Sequence, residues 1–177
     1  MRKIKLYIAQ SLDGFIAGPN GELDWLTSLP NPNKINHGYN EFIASVDEAI
    51  MGRKAYDDVL GFDVPWPYKG HMTYVFTSRD KEPTGNKDVT FVSQNVSPFA
   101  KNLKEKEGKD IWLIGGGKLI TSFLNENLVD EMIISIIPQI IGEGLPLFAG
   151  RPIPSEWELV SSESFETGVV NISYVKK

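Results

Sequence analysis

Short apolar runs that pass straight into helical runs constrain the fold of this chain more than any other feature. "EAIMG" (48–52) leads into "RKAYDDVL", and "DIWLIG" (110–115) leads through two further glycines into "KLITSFLNENL". "IKLYIAQS" (4–11), "MTYVFTS" (72–78) and "VTFVS" (89–93) are rich in β-branched and aromatic residues and read as strands. Residues 36–46 predict a helix, because Tyr39, Phe42, Ile43 and Val46 recur at three- and four-residue spacing. A second helix has Ser97 as its predicted cap and Pro98 in its first turn, and Gly108 is expected to end it. The helix after the glycines lines up Leu119, Ile120, Phe123, Leu124 and Leu128.

After residue 130 the pattern changes. "EMIISIIP" is a strand and "QIIGEGLPLFAG" a Gly/Pro-rich excursion. "WELVSSESFETGVVNISYV" then holds two alternating runs parted by the turn signal "ETG". The first three-quarters therefore read β-α-β and the end reads antiparallel. Such an order predicts an α/β fold, with a mixed sheet covered by helices on both faces. The 177 residues suffice for one substantial core, so residues 1–177 are expected to form a single domain.

Several function classes drop out early. There is no cysteine and there are only two histidines, His37 and His71, so no metal site is expected. The formal charge is −5, which carries no nucleic-acid footprint. The apolar start is interrupted by Gln10 and Asp13, unlike a signal peptide, and the most apolar run, "MIISIIPQII", contains Pro138 and falls short of a bilayer span. A cytoplasmic location without membrane or nucleic-acid partners is the expectation.

Gly115, Gly116 and Gly117 stand where a strand becomes a helix. The first N–H groups of a helix lack intrahelical partners and the helix dipole favours negative charge there, so bare backbone at that point suits an anion. A tight turn is the plainer alternative. The named phosphate motifs do not fit: Trp112 and Leu119 break a P-loop, and Ile120 stands where a Rossmann fingerprint wants glycine. Arg53 and Lys54 follow Gly52, and Arg79 follows Thr77 and Ser78, again at strand ends. If these strands are parallel, their carboxyl ends share one edge, where open α/β sheets bind ligands. Two arginines flanking backbone amides would suit a phosphate monoester.

Four ordered motifs, "IAQSLDGFIAG", "IMGRKAYD", "VFTSR" and "LIGGGKLITSFL", together with "PQIIGEGLPLF", resemble the dihydrofolate reductase superfamily. The similarity is closest to the C-terminal reductase domain of the bifunctional riboflavin-biosynthesis deaminase-reductase, and it covers nearly the whole chain. The resemblance implies a dihydrofolate reductase-like three-layer fold with a mostly parallel sheet of about eight strands, NADPH as hydride donor, and a homodimer. It also implies that Gly115, Gly116 and Gly117, with Lys118, Leu119 and Ile120, hold the pyrophosphate. Gly52, Arg53, Lys54, Thr77, Ser78 and Arg79 would surround the adenosine 2′-phosphate. Ala9 and the loop containing Asp13, Gly14, Ile16 and Ala17 would border the nicotinamide.

The departures lie on the substrate side. The carboxylate that dihydrofolate reductases carry on their first helix falls at or near Gly38, with Glu41 offset by about a turn. Tyr7 replaces the lysine of the riboflavin-pathway pattern, Ile114 replaces its glutamate, and Ala55 stands where a threonine is frequent. Asp13 is the candidate catalytic carboxylate, either orienting substrate or relaying a proton; its alternative is a turn-former in "LDG". Glu41, Tyr7 and Trp25 are candidate substrate residues, set against an exposed helix position for the first and core packing for the others. His37 is read as solvent-facing and outside the site. "PNGELDWL" and "FDVPWPYKG" are either flaps over substrate or, through Trp66 and Tyr68, part of a subunit contact. The expected activity is an NADPH-dependent reduction of a small planar heterocycle, similar to 5-amino-6-(5-phosphoribosylamino)uracil reduction. Dihydrofolate reduction and non-catalytic NADPH binding are the alternatives.

Overall fold

A computed structural model describes residues 1–62, 64–79 and 85–177. β1 (Ile4–Ser11), β3 (Val46–Gly52), β4 (Met72–Phe76), β5 (Val89–Val92), β6 (Asp110–Gly115) and β7 (Glu131–Ile137) join with β9 (Trp157–Ser164) and β10 (Val170–Lys176) in one eight-stranded sheet. The order is β5-β4-β3-β6-β1-β7-β10-β9. Every pair from β5 to β7 is parallel, and β10 is antiparallel to both of its neighbours. The "ETG" turn makes the expected hairpin, with Gly168 at φ 83°.

Alternation sorts the side chains to the two faces. Ile4 and Leu6 join Leu113, Met132 and Ile134 against α4 (Val96–Glu105) and α5 (Gly117–Asn125), through Phe99, Leu103, Ile120 and Phe123. On the other face Tyr7, Ala49 and Trp112 meet Phe42 of α2 (Tyr39–Ala44), and Met51 and Val75 meet Tyr56 of α3 (Arg53–Gly61). Helices therefore cover both faces, as the alternation of runs predicts. β7 is buried on both faces, which accounts for its nearly unbroken apolar sequence.

Local departures from expectation have local causes. α2 starts at Tyr39, not at residue 36, because His37 (φ 53°) and Gly38 (φ 79°) are left-handed and cannot continue a helix backwards. Asn95, not Ser97, occupies the N-cap position of α4, leaving Pro98 in its first turn. Two segments read as loops pair with each other, β2 (Phe15–Ala17) with β8 (Leu145–Pro146). Strands of three and two residues are too short to carry a period. The short helix α1 (Asp24–Thr27) completes the set.

Trp66 and Tyr68 sit in the segment between α3 and β4. They are partly buried against the sheet, Trp66 against Tyr56 and Tyr68 edge-on to Trp112 at 5.3 Å. Burial pushes the Tyr68 hydroxyl up to about 12. Asp63 of the same segment lies outside the described residues. Among the described residues no helix is long and apolar enough to cross a membrane.

Candidate functional site

The carboxyl ends of β4, β3 and β6 lie side by side, with Gly52 opposite Phe76 and Met51 opposite Gly115. α3 and α5 both start there. Gly52 and Gly116 are their N-cap residues, and no side chain caps either helix. The two starts are close enough that a Cβ on Gly52 would sit 3.7 Å from the Gly116 nitrogen. Two helix N-termini thus present unpaired N–H groups and positive dipole ends to one place.

The three glycines have three different reasons. Gly115 has φ 134°, a conformation that side chains rarely adopt. A Cβ on Gly117 would strike the Pro146 carbonyl oxygen and lie 3.0 Å from that of Leu147, so this glycine lets α5 seat against β8. Gly116 has neither constraint: its φ is −82° and a Cβ there would meet nothing within 4 Å. Only the middle glycine leaves open space over the helix start. The Gly115–Gly116 peptide is cis. Leu119 and Ile120 donate their N–H groups to the Gly116 carbonyl, the Ile120 side chain is fully buried, and Lys118 is exposed.

Arg53 and Arg79 come together on one carboxylate. Arg53 Nε donates to Asp57 Oδ1 at 2.7 Å, and Arg79 Nη1 reaches Asp57 Oδ2 at 3.4 Å. The Arg53 guanidinium lies 5.0 Å from the centre of the Phe91 ring and is largely buried, whereas the Arg79 side chain is 69 % exposed. Arg79 N–H is fixed by Thr77 Oγ1 at 3.0 Å, and Ser78 is exposed. Lys54 Nζ bonds Asp58 at 3.0 Å and the Asn20 carbonyl at 3.4 Å, which fastens the turn at residues 18–22 to α3.

The loop after β1 closes on the same edge. Ala17 pairs with Leu145 and Phe15 with Pro146, and Leu147 N–H donates to the Gly14 carbonyl at 3.0 Å. Ile16 packs against the main core. Asp13 is fully engaged: Ser11 Oγ donates to it at 2.6 Å, Gly142 N–H at 2.8 Å and Ile141 N–H at 3.3 Å. The Ser11 hydroxyl bond is the main cause that holds this carboxyl below the usual range, so it is ionised at neutral pH. Its geometry is that of a clamp between two loops. A folded-state pKa below the unfolded one means that the clamp is at full strength above the ordinary carboxylate range and is lost as pH falls below that range, through the lowered folded-state value. Asp13→Asn should speed amide exchange at Gly142 at neutral pH; unchanged exchange would show that the clamp holds nothing.

Beside this edge lies a pocket of about 340 Å³ over β1, β7 and the start of β10. Tyr7, Ala9, Leu26, Leu29, His37, Ser135, Ile137 and Val169 account for most of its wall. Ala9, Ser135 and Asn171 stand in one row across three neighbouring strands. Ser135 Oγ donates to Asn171 Oδ1 at 2.7 Å, and Asn171 Nδ2 donates to the His37 carbonyl at 2.7 Å. Tyr7 Oη donates to that same carbonyl at 3.1 Å. Burial raises the Tyr7 hydroxyl and lowers the His37 imidazole, so both are neutral near pH 7.

Of the substrate candidates, Tyr7 lines this pocket and stacks on Phe42 at 4.5 Å. Trp25 is buried with Ile137 and Val169 next to it. Glu41 is exposed on α2 and is not on the wall. His37, expected to face solvent, is on the wall, half-buried, with Nε2 2.8 Å from Thr167 Oγ1. Ser135 and Asn171 were readable in principle: each is a lone polar residue in an otherwise apolar stretch, "MIISIIP" and "VVNI".

Comparison with known proteins places this arrangement in a family. The uncharacterized protein YwjB of Bacillus subtilis (strain 168) is 35 % identical over 175 residues, covering 99 % of this chain and 98 % of that one. A crystal structure of a Shewanella sp. PV-4 protein, named for riboflavin biosynthesis, matches with TM-score 0.89 and 36 % identity over 99 % of both chains. Dihydrofolate reductase from Enterococcus faecalis, solved with NADP(H), shares the fold at TM-score 0.69 and 20 % identity, over 99 % of this chain and 96 % of that one. The family model described as the RibD C-terminal domain matches residues 2–171. That span takes in both helix starts, the pocket and every strand before β10, and the chain belongs to the RibD C-terminal domain family.

Proposed function

We propose that the chain is an NADPH-dependent reductase of a small, uncharged planar heterocycle. The observation that carries this reading is the meeting of two uncapped helix starts at Gly52 and Gly116, beside two arginines gathered on Asp57. The space a Gly116 side chain would fill accepts a pyrophosphate, held by the first amides of α3 and α5. Arg53 and Arg79, with Thr77 and Ser78 just past the end of β4, fit the 2′-phosphate that distinguishes NADPH. Ala9 and the Gly14–Ala17 loop border the nicotinamide end, next to the pocket. The NADP(H) bound by the Enterococcus enzyme on the same fold supports the choice of cofactor. When bound, that cofactor supplies the hydride.

The chain's own part is to orient the acceptor and exclude water. Among the described residues the pocket wall holds no carboxylate, lysine or arginine; its polar groups are hydroxyls, amides and a neutral imidazole. Such a wall suits an uncharged ring with hydrogen-bonding edges better than a phosphorylated pyrimidine or the cationic end of a pterin. A riboflavin-pathway-like reduction is the nearest assigned chemistry; the substrate here would lack its ribosyl phosphate.

Titration with NADPH and NADH tests the reading. NADPH should bind more tightly, and Arg79→Ala should weaken NADPH roughly tenfold or more, as loss of a charged hydrogen bond implies, with little effect on NADH. Equal losses would remove the 2′-phosphate assignment. A panel of neutral and phosphorylated heterocycles, followed by NADPH oxidation, then tests the substrate side. Turnover confined to phosphorylated compounds would overturn the uncharged-substrate reading.

A further inference from the structure

Among the described residues, Asp57 is the carboxylate shared by both arginines of the nucleotide edge. It lies on α3, one turn beyond Arg53, with its side chain 36 % exposed and both oxygens turned to guanidinium groups. A structural ion pair would need only Arg53, its i,i+4 partner. Reaching Arg79 across from the end of β4 places the negative charge between the two cations. A phosphate monoester read by those cations has to approach the same point.

We infer that Asp57 is a specificity-determining residue that tempers the preference for NADPH over NADH, a proposal that rests on the cofactor reading above. A neutral residue in place of this carboxylate would make the charge around the two guanidinium groups more positive by one unit. The carboxylate repels the dianionic 2′-phosphate and competes with it for the guanidinium N–H groups. Towards a ribose that carries a free 2′-hydroxyl, the same carboxylate is an acceptor. It thus weakens the phosphorylated cofactor and assists the other. Asp58, one residue on, does not share this role, since both its oxygens are held by Lys54 at 3.0 Å.

The discriminating variant is Asp57→Asn, which keeps the shape and removes the charge. Its affinity for NADPH should rise roughly three- to tenfold, the size expected of one charge acting through a solvent-screened edge, while its affinity for NADH stays level or falls. The same shift should appear with 2′,5′-ADP against 5′-ADP, fragments that do not reach the substrate pocket. An unchanged or reduced NADPH-to-NADH affinity ratio in the variant overturns the inference, because Asp57 would then be merely holding the arginines in place. Failure of the underlying cofactor reading looks different: the unsubstituted protein would bind neither 2′,5′-ADP nor NADPH. A parallel melting curve, little changed by the substitution, shows that the affinities compare two folded proteins.

Discussion

Gly116→Val is expected to abolish NADPH binding while the protein stays folded, and Gly117→Val, one residue on, is expected to lose the fold itself. The Gly116 backbone lies at φ −82° and ψ −175°, where a β-branched residue is unstrained, and its Cβ would meet nothing within 4 Å. The added methyls would instead occupy the space over the starts of α3 and α5. An anion would lose contact with several amides together, so the affinity should fall roughly a hundredfold or more, about 2.8 kcal/mol. At Gly117 the Cβ would be driven into the carbonyl oxygens of Pro146 and Leu147, which are main chain and cannot swing aside. Overpacking of that kind costs about 3 kcal/mol or more. Melting temperature and NADPH titration, measured on both variants, separate the two roles. Unchanged NADPH affinity in the Gly116 variant would reduce the glycine run to a strand-to-helix turn.

The contrast between these two glycines also marks where sequence reading stops. That the three lay at a strand-to-helix junction was legible, because hydrophobic period changes from two to 3.6 across them. That Gly52, Arg79 and Gly115 share an edge followed from the β-α-β order and the parallel sheet it implies. The division of labour among the glycines was not legible, since it depends on β8, a two-residue strand that arrives from residue 145. The pocket was half legible. Tyr7 and Ala9 sit on a recognisable strand, but His37 joins the wall through bonds to Asn171 and Thr167, more than a hundred residues away. Its left-handed backbone takes it out of the helix that periodicity extended back to residue 36. Asp57 was passed over for a similar reason. Its tie to Arg53 is a local i,i+4 spacing, but its meaning comes from Arg79 on another strand end.

Arg2→Met is expected to cost the largest share of stability among substitutions remote from the site, and to leave NADPH affinity unchanged. The side chain is only 5 % exposed, yet it carries a charge and lies at the amino edge of the sheet, opposite the edge where α3 and α5 start. Its guanidinium donates to Asp47, to Glu48 and to the Lys109 carbonyl. Lys109 N–H in turn donates to Asp47 Oδ2 at 2.9 Å, and Tyr74 Oη to Glu48 Oε1 at 2.9 Å. One cation therefore ties the start of β1 to β3, β4 and the turn into β6. Burial and the Glu48 carboxylate raise the Tyr74 hydroxyl well above its ordinary value, so it stays a neutral hydrogen-bond donor to Glu48. Removing one partner of a buried pair strands the others, at about 3–5 kcal/mol. Asp47 is 40 % exposed and can recover water, which points to the lower end. About 3 kcal/mol corresponds to a fall in melting temperature of roughly 6–12 °C for a chain of this size. Adding Glu48→Gln should restore part of the loss by removing the stranded charge, which a packing defect alone would not do. A melting temperature within a degree or two of the parent would mean that water already solvates the cluster, and a change in NADPH affinity would mean that the two edges of the sheet are coupled.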